Sequence, residues 1–310
     1  MPVQRWAGFA LVMAMACTSA RAIVIRDDVP DATARSLSAG DDAVGKLLNR
    51  NRIDCTATLI SPRWAITAAH CVTDIRFPRL DFAGQRVAAE RWYVHSKWND
   101  RERQGYDIAV VRLADRMRGV APATLYRNRD EVGQAARLVG YGDHGDGITG
   151  AVSFDAQRRA GTNTIDRIEG VRGRKRLVLV TDFDPPADPG VTIHEATTAS
   201  GDSGGPLFIG NAIAGLTSWG SSDFSEYGDV ARYTRVSMFT TWVDRILAGD
   251  RRGLRQAVVG RPGDRVLGTL LTGRSRTATP PTALNTPVPE PGSVAGLALL
   301  WALALRRRGR

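Results

Sequence analysis

The sequence predicts an all-β fold that ends in one short helix. Between residues 23 and 247, short apolar runs alternate with turn residues, as at 57–60, 108–111, 177–180 and 213–216. Apolar runs of about four to eight residues bounded by Gly, Pro, Asn or Asp are typical of buried strands. The segment 237–247 differs, because its apolar residues recur at helical spacing: Met238, Trp242, Val243, Ile246 and Leu247. We therefore expect a sheet core with a terminal helix packed against it.

Residues 1–22 have the features of a secretory signal peptide. Arg5 precedes an apolar run, and Ala20 and Ala22 form a small-x-small cleavage pattern. One alternative is a membrane helix, for which the run is short. Another is a lipoprotein signal at Cys17, but the residues before it match such a signal poorly. We expect cleavage after Ala22 and export of the chain.

The charge of the chain is concentrated at its ends. The formal net charge is +10, but eleven arginines and only two acidic residues lie between 251 and 310, and the leader adds two arginines. Residues 23–250 are therefore close to neutral, which predicts no nucleic-acid partner for the folded body. Residues 251–287 are rich in Arg, Gly, Thr and Pro and have no aromatic residue, so we expect a solvated spacer. The alternative is a basic tail that contacts acidic polymer or anionic lipid.

Residues 288–310 combine three features in a fixed order. Pro289-Glu290-Pro291 precedes an apolar stretch at 294–305, and three arginines follow it. This arrangement resembles the PEP-CTERM sorting signal of Gram-negative bacteria. The resemblance implies an exosortase-type processing enzyme as a partner and transient membrane anchoring by the short hydrophobic segment. It also implies delivery to the cell surface, the outer envelope or the extracellular matrix. The alternative is a C-terminal transmembrane anchor that is never removed.

The cysteines allow one disulfide in an exported protein. Cys17 belongs to the leader, which leaves Cys55 and Cys71 as a possible pair. The alternative is two buried thiols. A bridge closing a loop of this length would stabilise the fold by about 3 kcal/mol on the chain-entropy model.

Three short segments carry the candidate chemistry: 66–71, 106–110 and 201–206, the last reading Gly-Asp-Ser-Gly-Gly-Pro. They present His70, Asp107 and Ser203 in this order, 37 and 96 residues apart. A lone histidine or serine is most often structural, but together the segments resemble the trypsin/chymotrypsin family over 23–247. The resemblance implies two six-stranded antiparallel β-barrels, with the first two residues on one barrel, the serine on the other, and the active site between them.

The resemblance implies a serine endopeptidase that cleaves protein or peptide substrates through an acyl-enzyme intermediate, with no metal and no cofactor. A serine hydroxyl is a weak nucleophile at neutral pH and needs a base to accept its proton. His70 would be that base, and Asp107 would hold the imidazole in the required tautomer. The alternatives are a homologue used for binding, which usually lacks one of the three residues, and a matrix protein in which proteolysis is incidental.

The family pattern also assigns roles to the neighbouring residues. The amides of Gly201 and Ser203 would form the oxyanion hole, and Cys55 and Cys71 would form the disulfide that holds the histidine loop. Asp202 would pair with the ammonium group of Ile23, so signal-peptide cleavage would itself create the activating terminus. The family's two glycines after Ile-Val are replaced here by Ile25 and Arg26, which puts the insertion geometry in doubt.

Substrate-binding positions follow from the same resemblance: Thr197 at the base of the primary pocket, Gly220 and Ala231 on its walls, and Ser218, Trp219 and Gly220 on the strand that pairs with substrate. Threonine at the base cannot pair with a cation, so we expect a small or medium uncharged side chain at the cleavage site. Ala199 stands where the family often has a cysteine staple. We expect His95, His144 and His194 to be core or surface residues, and Asp143 and Asp146 to lie in a solvated turn rather than a cation site.

Overall fold

The structure is a computed structural model that describes residues 23–73, 75–171 and 175–264. The predicted signal peptide, the later part of the predicted spacer and the predicted sorting signal lie outside these ranges. No helix within the described ranges is long and apolar enough to cross a membrane.

Strands predominate over helices among the regular elements of the described residues, so the all-β prediction is confirmed. The strands are β1 (Ile23–Ile25), β2 (Val44–Asn49), β3 (Arg52–Ser61), β4 (Trp64–Thr67), β5 (Pro78–Phe82), β6 (Gln85–His95), β7 (Ala109–Leu113), β8 (Thr124–Leu125), β9 (Ala135–Gly140), β10 (His144–Asp146), β11 (Gly150–Ser153), β12 (Arg159–Thr164), β13 (Arg167–Val171), β14 (Lys175–Asp182), β15 (Ala196–Thr197), β16 (Pro206–Ile209), β17 (Ala212–Gly220), β18 (Val230–Arg235) and β19 (Ala257–Gly260). The helices are α1 (Asp31–Leu37), α2 (His70–Thr73), α3 (Thr240–Leu247) and α4 (Arg251–Arg255), with 3-10 turns at Glu102–Gln104 and Val236–Met238.

The first barrel consists of strands β2 to β7. They hydrogen bond in the order β6-β5-β2-β3-β4-β7, and pairing of β6 with β7 closes the sheet on itself. Its interior is apolar, with Leu47, Leu59, Leu80 and Val111 fully buried. The closed barrel fixes the positions of β4 and β7. His70 lies shortly after the end of β4, and Asp107 lies shortly before the start of β7.

The second sheet is more open than the resemblance implies. Its six central strands run in the order β12-β9-β16-β17-β18-β14, with β13 beyond β14, but no ladder between β12 and β14 closes it. The edge of β12 is occupied instead by the segment before β15, because Thr162 N–H donates to the carbonyl of His194 at 2.8 Å. The side chain of Asn163 spans the remaining gap and donates to the carbonyls of Asp182 and Ala196. The predicted second barrel is therefore a half-barrel.

The predicted terminal helix is present. A 3-10 turn at Val236–Met238 leads into α3, whose Trp242, Val243 and Ile246 are buried against the second core. This is the face that the helical spacing of apolar residues indicated.

The folded body extends beyond the predicted boundary at residue 250. Residues 251–255 form α4, and β19 pairs antiparallel with β6, with Val258 opposite Val94. The Trp242 indole also donates to the carbonyl of Gln256 at 3.2 Å. The prediction of a spacer from residue 251 was therefore wrong at its start, because the short apolar run 257–259 finds a strand edge to pair with, which composition alone does not reveal.

Candidate active site

His70 and Asp107 form a close pair at the edge of the first barrel. His70 opens α2, and its Nδ1 lies 2.7 Å from Oδ2 of Asp107, while its backbone N–H donates to Oδ1 at 3.0 Å. Asp107 is fully buried. A carboxylate that accepts from Nδ1 leaves the other ring nitrogen, Nε2, as the proton acceptor of the neutral imidazole.

Two hydroxyls from the second sheet hold Asp107. Ser218 Oγ donates to Oδ2 at 2.5 Å, and Thr234 Oγ1 donates to the Asp107 carbonyl at 2.9 Å. Ser218 was predicted to bind substrate, and Thr234 was not predicted as a site residue. Both contacts join strands β17 and β18 to a loop of the other barrel, so no local sequence signal could have shown them.

The pKa of His70 is raised above its usual value. Burial acts to lower the pKa, but the charge of Asp107 and its hydrogen bond to the ring outweigh burial, with a smaller contribution from Glu102. A raised pKa makes the imidazole a stronger base, and it also means that more of the ring is protonated at mildly acidic pH.

Ser203 lies in the loop between β15 and β16 and is anchored from the first barrel by Thr56. The Thr56 N–H donates to the Ser203 carbonyl at 2.9 Å, and its Oγ1 donates to the Gly201 carbonyl at 3.1 Å. The same Oγ1 accepts from Tyr141 N–H at 3.2 Å. Thr56 is a site residue that the sequence analysis missed, because a threonine within a strand has no distinguishing pattern.

The backbone of the serine loop has two unsatisfied donors that alternate with satisfied ones. Asp202 N–H donates to the Ala199 carbonyl and Gly204 N–H to the Thr217 carbonyl. Within the described ranges, the N–H groups of Gly201 and Ser203 have no protein acceptor. Donors left open in this way are what a developing oxyanion requires.

Glycine is required at two positions of this loop. Gly201 has φ of +90° and Gly204 has φ of +75°, the left-handed region that favours glycine. A Cβ on Gly204 would also lie 2.0 Å from Thr67 Oγ1. Any larger residue at Gly204 would push the serine loop away from the first barrel.

The disulfide between Cys55 and Cys71 is present, as predicted, with the two Cα atoms 6.0 Å apart. It ties β3 to α2, and therefore ties His70 to the strand that carries Thr56. The two sulfur atoms and a ring nitrogen of His70 lie within 4.8 Å of one another. Sulfur atoms bonded to each other are not thiolates, so this group is not suited to bind a metal ion.

His70 and Ser203 are neighbours, but their side chains are not hydrogen bonded to each other among the contacts of the described residues. The Nε2 atom of His70 instead lies 3.6 Å from Cys71 Sγ. The catalytic hydrogen bonds of an enzyme without substrate are often long and tighten only in the complex.

Asp202 is fully buried beneath the serine loop. Its Oδ1 accepts from Gly142 N–H at 2.8 Å and its Oδ2 from Ala199 N–H at 2.9 Å. Burial raises the pKa of Asp202 to about 7, although these two hydrogen bonds act to lower it. Strand β1 begins nearby, because its first residue, Ile23, pairs with His144, two residues after Gly142. No ion pair between Ile23 and Asp202 is recorded within the described part of the chain.

A cavity of about 510 Å³ adjoins Ser203. Its walls include Ser218, Trp219 and Gly220 and several further hydroxyl-bearing residues: Thr198, Ser200, Thr217, Ser222 and Ser225. Thr197, predicted at the base, does not line the cavity. It is 2% exposed and pairs with Val24 in a four-stranded sheet of order β11-β10-β1-β15, whereas Thr198 and Ala199 line the cavity. Ala231, predicted on a wall, is also buried and outside the lining.

The other predicted residues take structural positions. His144 is fully buried, and the nearly buried His95 stacks on Tyr106 with ring centroids 5.0 Å apart. Asp146 accepts hydrogen bonds from the N–H groups of Ile148 and Thr149, which is a capped turn and not a cation site.

Comparisons with known proteins agree with this geometry. The family model described as "Trypsin" matches residues 36–243. The chain is 31% identical over 205 residues to snake venom serine proteinase 14 of Crotalus adamanteus, covering 63% of this chain and 78% of the relative. It is 29% identical to the snake venom serine protease BPA of Bothrops jararaca, covering 66% of this chain and 82% of the relative.

A solved structure shows the same fold. It is that of neuropsin, a serine protease of mouse brain, with a TM-score of 0.55 and 21% identity, and it covers 72% of this chain and 98% of that one. The family match spans more than half of the chain and includes His70, Asp107 and Ser203. The chain therefore belongs to the trypsin family and is a serine-type endopeptidase.

Proposed function

We propose that this chain is an exported, surface-delivered endopeptidase in which Ser203, His70 and Asp107 act as the catalytic triad. The observation that carries the proposal is the buried Asp107 carboxylate bonded to Nδ1 of His70, beside a cavity that Ser203 lines. No step of this chemistry needs a metal or a cofactor.

The reaction would proceed in two halves. Ser203 Oγ forms a bond to the substrate carbonyl carbon as its proton passes to His70 Nε2. The C–N bond then breaks, and the imidazolium returns the proton to the leaving amine. Water then attacks the acyl carbon as its proton passes to His70. The bond from the acyl carbon to Ser203 Oγ breaks, and the imidazolium returns the proton to restore the hydroxyl. The open N–H groups of Gly201 and Ser203 would stabilise the oxyanion, a contribution of about 10²–10³-fold per donor in comparable enzymes.

Activation would follow from cleavage of the leader after Ala22. The new Ile23 ammonium would pair with Asp202, a buried carboxylate that has no salt bridge to another described residue. A second observation supports this step. Ile23 has φ of +56°, which is strained for a β-branched residue, and that torsion no longer exists once the preceding peptide bond is cut.

The replacement of the family's glycines is compatible with such a terminus. Ile25 is 1% exposed and pairs with Asp146 and Ala196. The Arg26 guanidinium donates hydrogen bonds to the Asp28 carboxylate and to the Thr192 carbonyl. Both side chains therefore have contacts of their own, and neither position needs glycine's conformational freedom.

The cavity favours an uncharged side chain at the cleavage site. Its inner surface presents threonine and serine hydroxyls, and its acidic residues are Asp223, which is exposed, and Glu102. Cleavage of a peptide library followed by identification of the new termini would measure this preference. A strong preference for Arg or Lys at the cleavage site would contradict it.

Delivery to the surface of a Gram-negative cell would depend on residues 288–310, with an exosortase-type enzyme as the processing partner and transient membrane anchoring by the short hydrophobic segment. The order of the Pro-Glu-Pro motif, the apolar stretch and the arginines supports this. Deleting 288–310 should release an active protease into the medium. Retention of the truncated chain at the surface would contradict the proposed role of the signal.

The test of catalysis is reaction of the exported chain with a fluorophosphonate, beside a Ser203→Ala control. We expect the wild type to be labelled and the control not to be. Labelling that persists in Ser203→Ala would remove Ser203 from the role of nucleophile. An unlabelled, well-folded chain that begins at Ile23 would indicate a binding protein that has kept its triad.

A further inference from the structure

A second surface cavity lies beside the turn between β2 and β3. It has a volume of about 710 Å³, and we call it the arginine groove. Its lining comes from that turn and from the segment before β5: Asn49, Arg50, Asn51, Arg52, Arg76 and Phe77. The catalytic proposal uses none of these residues.

The arginine groove has an uncompensated positive charge. Its lining holds three arginines and no acidic residue. Arg52 lies 3.0 Å from Asp54, so its charge is partly balanced. Arg50 and Arg76 are exposed and have no salt bridge to any residue in the described ranges. Two free guanidinium groups beside one cavity suit carboxylates, because each can donate two parallel hydrogen bonds.

Arg50 occupies a position where the backbone would favour glycine. It has φ of +59° in the two-residue turn between Asn49 and Arg52, which pair across the hairpin. Two-residue hairpin turns require such angles and usually take Gly, Asn or Asp there. An arginine at this position costs backbone energy that glycine would avoid, which suggests that its side chain has a use.

The arginine groove adjoins a cavity beside the serine loop, because Arg52 lines both. That cavity of about 330 Å³ reaches Ser200 and Gly201 and also holds the carboxylates of Asp54 and Asp143, so an acidic residue is favoured only beyond it, at the groove itself. The strand Ser218–Gly220 lines the separate 510 Å³ cavity together with Ser203. If the acyl part of the substrate pairs with that strand, its leaving part runs past Gly201 and Arg52 into the arginine groove.

We propose that the arginine groove binds an acidic segment of the protein substrate that lies downstream of the scissile bond. This inference rests on the proposed function for the direction of the substrate, and it adds a substrate class to it. Phe77 is 59% exposed at the groove and offers an apolar contact. Such a contact suits the side chains of a peptide better than it suits a sulfated or uronic polysaccharide, so the peptide is the occupant that the lining favours.

Binding is measured on the full exported chain with Ser203→Ala, so that no cleavage occurs. The ligands are two fluorescent peptides that differ only downstream of the scissile bond, one with four Asp or Glu residues and one with the matching Asn or Gln residues. We expect the acidic peptide to bind with a dissociation constant lower by about fivefold or more at low salt. The advantage should shrink as ionic strength rises.

The same measurement is made on Arg50→Gln/Arg76→Gln and on a control of equal charge change, Arg116→Gln/Arg118→Gln. Arg116 and Arg118 are exposed and lie outside the groove lining. The groove variant should lose the preference for the acidic peptide, and the control should keep it. Arg50→Gly, which relieves the backbone of the turn, should also weaken the preference, and this variant rules out misfolding as the cause.

Three results would overturn the proposal: equal binding of both peptides by the chain, equal loss in both double variants, and groove-dependent binding of a sulfated polysaccharide without preference for the acidic peptide. Hydrolysis of a small ester with no downstream residues tests catalysis separately in the wild-type chain. A chain that prefers the acidic peptide yet cannot hydrolyse the ester would contradict the proposed function and still support the groove.

Discussion

At the scale of single residues, the site depends on a few buried hydrogen bonds that cross between the two sheets. The Asp107 carboxylate accepts one hydrogen bond from the His70 ring of its own barrel and another from the Ser218 hydroxyl of the second sheet. Thr56 reaches in the opposite direction and holds the serine loop through the carbonyls of Gly201 and Ser203. Because Asp107, Ser218 and Thr56 are buried, losing a partner leaves a buried polar group unsatisfied.

Replacing Asp107 by Asn should lower kcat by about 10⁴-fold, the size of the effect in the triad that serves as the general example of this chemistry. The charge of Asp107 also holds the pKa of His70 above its usual value. In the wild type, the acidic limb of kcat/KM against pH should therefore lie above the usual imidazole value, with activity lost as pH falls through it. Acidic limbs that coincide in wild type and variant would contradict the assigned role of Asp107.

Replacing Thr56 by Val should destabilise the fold by about 1–3 kcal/mol, because the buried Gly201 carbonyl and Tyr141 N–H each lose a partner. It should also lower kcat, since the serine loop loses an anchor. The matched control is Thr58→Val in the same strand, because Thr58 is fully buried and its hydroxyl has no partner among the described residues. Urea unfolding and ester hydrolysis measure both effects. Equal losses in the two variants would show that Thr56 has no special role.

At the scale of elements, pieces distant in sequence complete each sheet. Helix α1 carries Asp31 to the fully buried Arg159 of β12, at 2.7 Å, which fastens the segment after β1 to the second sheet. Strand β19 lies on the first barrel although it comes after the terminal helix. The N-terminal segment is therefore bonded to the second sheet, and the C-terminal strand β19 is paired with the first barrel.

Ending the chain at residue 250 should cost stability that ending it at 264 does not. Strand β19 covers part of β6, with Val258 and Val259 half-buried against the cores. Loss of these two side-chain contacts and of the backbone hydrogen bonds between β19 and β6 should destabilise the fold by roughly 2–4 kcal/mol. Thermal unfolding of the two truncated chains gives the comparison. Identical midpoints would mean that residues 251–264 contribute nothing to the folded body.

At the scale of the whole molecule, buried acidic groups with raised pKa values should make stability depend on pH; beside Asp202, these include Asp166 and Glu195. Burial raises the pKa of Asp166 to about 6, helped by the neighbouring charge of Asp182, and burial raises the pKa of Glu195 to about 7. A carboxyl group whose pKa is raised by folding contributes stability that is present below its unfolded value and is lost as pH rises through its folded value.

The unfolding temperature should therefore fall between about pH 4 and pH 7, the window set by the usual carboxyl value and the raised ones. Glu195→Gln should flatten the upper part of this decline, because the amide oxygen can still accept from Thr192 and carries no charge. The exposed Glu226 provides the control, and Glu226→Gln should leave the decline in place. A wild-type profile that rises over this window would contradict the assignment.

Much of the fold and the site was predictable because it depends on local patterns. Apolar runs indicated the strands, helical spacing indicated α3, and the segments around His70, Asp107 and Ser203 identified the reactive groups. The open second sheet was not predictable, since it depends on Thr162 donating to His194 from a segment that is distant in sequence. The surroundings of Thr197 were not predictable for a similar reason, because they depend on its pairing with Val24, which is distant in sequence.

Residue types and spacings were enough to establish the strand-rich class, the order of the three reactive residues, the cysteine pair and the concentration of charge at the ends. These follow from residue type and spacing over a few positions, where side-chain chemistry and backbone period decide the outcome. The tertiary structure alone decided the Thr56 anchor, the place of β19 on the first barrel, and the meeting of Arg50, Arg52 and Arg76 in one groove. Such features depend on which distant backbone edges and surfaces meet, and that is set by the free energy of packing the whole chain.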